Sequence, residues 1–226
     1  MNYIISLGGS IINPGKVDIK FLKSFRRLIL GQIKKGDRFI ITTGGGSICR
    51  EYQHAAFALG VKKVEELDLI GIEACDLNAK LIHSVFLPHA YKEFFNHPKY
   101  AKKIRSNLII ASGGLPPPPG SSDSTSLKYA QAVNAKVLVN LTNVTGIYNR
   151  DPYKYKNAKL VPRLSWKKFR EQFGSGRQPG QHVPFDQSVA RPAERYGLMV
   201  AILDGRNLKN FQNFLAGENF RGTVIQ

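Results

Sequence analysis

The sequence predicts an α/β fold, a three-layer αβα sandwich around a mainly parallel central sheet. Short apolar runs of strand length alternate with longer segments of helical periodicity along the chain. Three of these runs end in glycine pairs or triplets, Gly8-Gly9, Gly44-Gly45-Gly46 and Gly113-Gly114. The 226 residues, 42% of them hydrophobic, suffice for one well-buried core.

Tyr3–Leu7 reads as the first strand. A helix follows from Asp18, whose carboxylate can cap the first turn. Its apolar residues Phe21, Leu22, Phe25, Leu28, Ile29 and Ile33 recur at three- and four-residue spacing, and Gly36 closes it. Phe39–Thr42 is the second strand, followed by helices over about Ser47–Leu59 and Glu66–Phe86. The second of these is expected to bury Leu67, Ile70, Ala74, Leu77, Leu81 and Val85. Leu108–Ala111 is the third strand and runs into the proline-rich loop Pro116–Pro119. A helix over about Ser124–Val133 leads to the fourth strand, Val137–Leu141. After a long basic connection a helix begins near Asp186, with a kink expected at Pro192. Met199–Leu203 is the fifth strand, and a helix over about Leu208–Leu215 and the tail Thr223-Val224-Ile225 complete the chain.

Alternating strands and helices imply a sheet covered on both faces, with ligands beyond the carboxyl ends of its strands. Glycines there let backbone N–H groups approach an anion, and a following helix adds its dipole. One such turn is unremarkable; three at one sheet edge indicate phosphate binding.

Thirty-three Lys and Arg against sixteen Asp and Glu give a net charge of +17, which favours polyanionic partners. The basic residues are spread along the chain and no nucleic-acid-binding motif accompanies them. The densest stretch, Lys154 to Arg170, interleaves with Tyr155, Trp166 and Phe169 and follows Tyr153; it reads as a solvated basic face near a nucleotide site, ahead of a nucleic-acid surface. No apolar run approaches the roughly 20 residues of a membrane span. The amino terminus reads as a strand, not a signal peptide. Cys49 and Cys75 are expected as free thiols in a reducing cytosol. His54, His83, His89, His97 and His182 show no ligand spacing, so no structural metal is expected.

Neither a Gly-x-x-x-x-Gly-Lys-Ser/Thr loop nor a Gly-x-Gly-x-x-Gly turn is present. Six other blocks run in order along most of the chain. They are Ile5-Ser6-Leu7-Gly8-Gly9-Ser10, Gly44-Gly45-Gly46-Ser47 with Arg50, Asp68-Leu69-Ile70-Gly71-Ile72, Gly120-Ser121-Ser122-Asp123, Thr142-Asn143-Val144-Thr145-Gly146-Ile147-Tyr148 with Asp151-Pro152, and Phe185-Asp186 with Arg191. In this order they resemble the amino-acid kinase superfamily, most closely its compact archaeal-type UMP kinases.

The resemblance implies transfer of the ATP γ-phosphoryl group to UMP with Mg²⁺, in a cytoplasmic homohexamer. It implies one domain over residues 1–226, with an acceptor half over about 1–135 and an ATP half over about 136–226. Gly8, Gly9 and Ser10 would offer N–H groups to the phosphates. Gly45 and Gly46 would approach the UMP phosphate, with Arg50 pairing to it as a planar fork. Asp68 would accept the ribose hydroxyls and Gly71 would leave room for the sugar. Ser121, Ser122 and Asp123 would close over the acceptor phosphate, although the same residues suit a helix cap. Thr142, Asn143, Gly146, Tyr148, Asp151 and Pro152 would hold the adenosine, and Arg191 would reach the phosphates.

The chain departs from the family pattern at Ser6, in place of a lysine, at Thr145, in place of an aspartate, and at Gln187, in place of a proline. Two other readings stay open. The acceptor could be another small phosphate or carboxylate, or the chain could be a binder of nucleotide or nucleic acid without turnover.

Overall fold

A computed structural model describes residues 1–115, 120–152, 154–174 and 184–226. In chain order its elements are β1 (Asn2–Leu7), α1 (Gly9–Ile12), α2 (Ile19–Lys34), β2 (Arg38–Thr43), α3 (Gly46–Ala58), α4 (Val64–Phe86), α5 (Pro98–Ala101), β3 (Leu108–Ser112) and α6 (Ser122–Val133). There follow β4 (Val137–Thr142), β5 (Arg163–Leu164), α7 (Trp166–Phe173), a 3₁₀ turn (Gln187–Val189), α8 (Ala190–Tyr196), β6 (Met199–Asp204), α9 (Leu208–Leu215) and β7 (Thr223–Ile225).

The strands form one sheet in the order β3-β2-β1-β4-β6-β7-β5. β3 through β6 run parallel; β7 is antiparallel to β6, and β5 pairs parallel to β7. Side chains alternate across the sheet. Tyr3, Ile5 and Leu7 of β1 join Phe25 and Ile29 of α2, Ile82 and Phe86 of α4 and Phe211 of α9 on one face. Ile4, with Ile40 and Leu138, joins Leu127 and Tyr129 of α6, Trp166 and Phe169 of α7 and Phe185 on the other. Strands buried on both faces explain why they read as continuous apolar runs. The fold is the predicted αβα sandwich.

Asp18 caps α2 by accepting from the Phe21 N–H at 2.9 Å, and Gly36 follows that helix at φ +94°. Other expectations need correction. The buried side of α4 carries Ala74, Asn78, Ala79, Ile82, His83 and Phe86, whereas Leu77 is 58% exposed. The expected stripe is otherwise inward: Ala74 is buried, Leu81 and Val85 pack against the core, and Leu67 and Ile70 are half-buried. Two polar residues are inside because each makes a backbone bond: Asn78 donates to Gly44 O, and His83 Nε2 pairs with Tyr91 O. Pro192 is the third residue of α8, and the change from 3₁₀ to α geometry precedes it at Val189–Ala190.

The basic connection is not a bare loop. It contains β5 and α7, and its Trp166 and Phe169 are core residues, 3% and 0% exposed, instead of stacking surfaces. Tyr155 is exposed; Tyr153 and His182 lie outside the described residues. Among the described residues no helix is long and apolar enough to cross a membrane.

Candidate active site

The strand order reverses between β1 and β4: from β1 the chain moves outward to β2 and β3, then crosses to β4. Such a switch point leaves a crevice beyond the strand ends, where the two flanking loops diverge. Here it holds a cavity of about 230 Å³. Ser6 and Asn140, facing partners in the β1–β4 register, give it polar walls. Gly8, Gly9 and Ser10 enter from β1, Gly44 and Gly46 from β2, Arg50 from α3, Ser122 and Asp123 from α6, and Thr142 and Asn143 from β4.

The two glycine loops touch backbone to backbone. A Cβ on Gly9 would lie 2.2 Å from the Gly46 nitrogen and 2.4 Å from the Gly44 oxygen. A Cβ on Gly46, which sits at φ +68°, would lie 2.5 Å from the Gly9 oxygen. Glycine is therefore required for both steric and conformational reasons. Asn78 braces the second loop from beneath, donating to Gly44 O at 2.7 Å and Gly45 O at 3.2 Å. Ser47 ties it to the first by donating to Asn13 O at 2.9 Å.

The N–H of Gly8 is not available to a phosphate. It donates to Leu141 O at 2.9 Å, extending the β1–β4 ladder by one step. The expected role of Gly8 as an N–H donor is corrected on this ground, and Gly9 and Ser10, in the first turn of α1, carry the N–H groups with no helical acceptor.

Arg50 is an exposed residue of α3 whose Nη2 lies 3.4 Å from Ser10 Oγ. Among the described residues lining the cavity it is the one cation. Asp123 is the one carboxyl group there. Its Oδ2 accepts from the Asp186 N–H at 2.8 Å. Burial pushes its pKa up to about 7; the Asp186 N–H pulls it down and the Asp186 carboxylate adds to the rise. Ser121 caps α6, its Oγ accepting from the Ser124 N–H at 3.2 Å.

A family model described as the amino acid kinase family matches residues 1–204. The chain belongs to the amino acid kinase family. Among its curated relatives, the uridylate kinase of Hyperthermus butylicus is 32% identical over 98% of this chain and 96% of the relative. That of Methanobrevibacter smithii is 30% identical over 100% of this chain and 99% of the relative. The crystal structure of uridylate kinase from Archaeoglobus fulgidus superposes with a TM-score of 0.84 at 28% identity, both chains covered in full. A UMP kinase structure from Bacillus anthracis, 22% identical with a TM-score of 0.82 over 100% of this chain and 95% of that one, shares the fold.

Several amino acid kinase positions fall outside the cavity wall. Asp68 is half-buried on α4, close enough to Cys49 to help raise its thiol pKa, behind burial and against Arg50. Gly71 faces α3: a Cβ there would meet Gln53 Nε2 at 3.1 Å and Cys49 Sγ at 3.5 Å, so its visible effect is close helix packing. Gly45 turns toward Cys49. On the other side Gly146 packs against Thr223, Tyr148 pairs with Leu160 and accepts from Gln172 through its carbonyl, and Asp151 and Pro152 are exposed. Arg191 is exposed on the first turn of α8 and is not brought to the cavity. Asn78 and Asn140 were missed by sequence reasoning. Asn140 is an amide inside an otherwise apolar strand, the signal that could have found it; Asn78, between Asp76 and Lys80, carries no such signal.

Proposed function

We propose that this chain is a UMP kinase, catalysing ATP + UMP → ADP + UDP. The observation that carries this reading is the cavity at the β1–β4 switch point, lined by two glycine loops and by Arg50, in a chain about 30% identical over its full length to relatives named uridylate kinase. The acceptor half, about residues 1–135, supplies Gly45, Gly46, Arg50, Asp68, Gly71 and Ser121–Asp123 to UMP. The ATP half, about 136–226, supplies Thr142, Asn143, Gly146, Tyr148, Asp151 and Pro152 to the nucleoside of ATP, while Gly9 and Ser10 reach its phosphates.

Phosphoryl transfer asks little covalent chemistry of the protein; it needs two anions held in line and their charge neutralised. A phosphate oxygen of UMP attacks the γ-phosphorus, the bond to the bridging oxygen breaks, and ADP leaves. Arg50 opposes the mutual repulsion of the two anions, and the Gly9 and Ser10 N–H groups accept charge as it develops. Among the described residues no cluster of three His, Cys, Asp or Glu suits a metal, and the cavity offers one carboxyl group. That fits an ion carried by phosphates and water, the manner Mg²⁺ prefers, so magnesium enters as part of the substrate MgATP.

Exposed apolar side chains support the homo-oligomer that the family resemblance implies. α3 buries none of its residues, and Tyr52, Phe57, Leu59, Val64 and Leu77 are all more than half exposed. Light scattering of the purified chain tests the hexamer. A coupled ADP-release assay across nucleoside monophosphates and small phosphates and carboxylates tests the reaction: UMP with MgATP should give the highest rate, and an equal or better non-nucleotide acceptor would overturn the substrate.

A further inference from the structure

Pro184, Phe185 and Asp186 are each anchored to a different element. The Pro184 carbonyl accepts from Asn140 Nδ2 of β4 at 2.8 Å. The Phe185 ring is fully buried, 5.9 Å from Trp166 and 6.3 Å from Phe169 of α7. The Asp186 N–H donates to Asp123 Oδ2 of α6 at 2.8 Å. Asp186 then uses its own Oδ1 to accept from the N–H and hydroxyl of Ser188, capping the 3₁₀ turn that leads into α8. Pro184, Asn140 and Asp123 all line the cavity, so both polar anchors face the site as well as the segment.

Asn140 is out of place as a packing residue. It interrupts the apolar run of a central strand and is 7% exposed. A buried amide is retained at a cost unless its hydrogen bonds do something for the fold or the site. Its single described bond runs 44 residues along the chain, to the segment that crosses toward Asp123.

We propose that Asn140 and Asp123 form a two-point tie that seats Pro184–Asp186 as a wall of the phosphate cavity, with Asn140 a positioning residue for transfer. The inference rests on the reading of this cavity as the transfer site. Asn140 belongs to the ATP half and Asp123 to the acceptor half, so the tie joins the two halves across the cavity. With Pro184 released, the Asp186 N–H would lose its fixed aim at Asp123. The Asp123 carboxylate would then lose the one interaction that favours its charged form. The charged groups around it are Arg50 from α3 and Asp186 from the segment itself; the adjacent positions of β1 and β4, Ser6 and Asn140, are uncharged.

The test is a carbon-13 titration of the Asp123 carboxyl group by NMR in the full chain, wild type against Asn140→Leu, with Asn140→Ala as a smaller replacement. Both variants should titrate above wild type, by about half a pH unit or more. Turnover of UMP should fall about tenfold in kcat with KM for UMP changed less than about threefold, as expected when placement rather than binding is lost. A loss of thermal stability with the Asp123 midpoint unmoved would make Asn140 a packing residue and overturn the proposal. An unchanged kcat would do the same. The titration needs no substrate. Absence of UMP turnover in the wild type would defeat the functional reading while the midpoints still judge the tie.

Discussion

The Asp186 N–H points at Asp123 Oδ2 from 2.8 Å, and it is the one interaction that opposes the burial of that carboxyl group. The opposition is incomplete, since the pKa still rises from 3.8 to about 7.

This gives stability a pH dependence of defined sign. The folded chain holds the Asp123 proton to about pH 7, whereas the unfolded chain releases it near 3.8. Across that window the folded state binds more protons, so stability falls as pH rises and levels off above it. Asp123→Asn removes the titration while its amide oxygen can still accept from Asp186. Chemical denaturation at pH 5 and pH 8 should show the variant gaining on wild type by on the order of 3 kcal/mol between the two. A constant difference would contradict the buried carboxyl group.

Arg50→Ala should weaken UMP by roughly 30- to 150-fold, the loss of a charge-assisted bidentate contact, and leave ATP close to wild type. Because Arg50 is exposed and makes one long bond to Ser10, stability should move by less than about 0.5 kcal/mol. Separate titrations of the two nucleotides check this, and an equal loss on both would remove Arg50 from the acceptor side.

Arg191→Ala should lower kcat by less than about tenfold, far below the 10²–10³ typical of a group acting on the transition state. The side chain is exposed on α8 and the cavity wall does not include it. Steady-state kinetics with saturating MgATP decides; a hundredfold loss would mean that α8 approaches the phosphates during turnover.

Gly9→Ala should destabilise the chain by about 2–4 kcal/mol through overpacking against a backbone that has no rotamer to yield. Thermal unfolding measures it, with Gly31→Ala as a control, since a Cβ at Gly31 meets nothing within 4 Å. Equal melting temperatures for the two variants would refute the contact.

The sandwich was legible because its strands are buried on both faces and its long helices carry strong periodicity. α1 and α5, four residues each, and β5, two residues, are too short to show a period. α7 was hidden because its few apolar residues lie in a basic run. Two of the three glycine loops, Arg50 and Asp123 were legible as a set and converge on one cavity. The third loop does not line it, because the Gly113 N–H donates to Thr43 O and the Gly114 N–H to Ser112 Oγ. Who uses which N–H was not, because the Gly8 bond to Leu141 depends on strand order, which no local pattern encodes. Asn78 and Asn140 escaped for a related reason: their partners lie 34 and 44 residues away.

The contact between Gly9 and Gly46 leaves no layer of side chains between the two loops. Side chains can rotate and be exchanged for larger or smaller ones; main-chain atoms in van der Waals contact cannot. Under the proposed function, the spacing of donor and acceptor phosphates would be gauged by atomic radii where the two loops meet. Redesign of this enzyme for a larger acceptor would have to take its room from the cavity wall away from that junction, at Arg50, Ser122 or Asp123, because the junction of the loops has none to give.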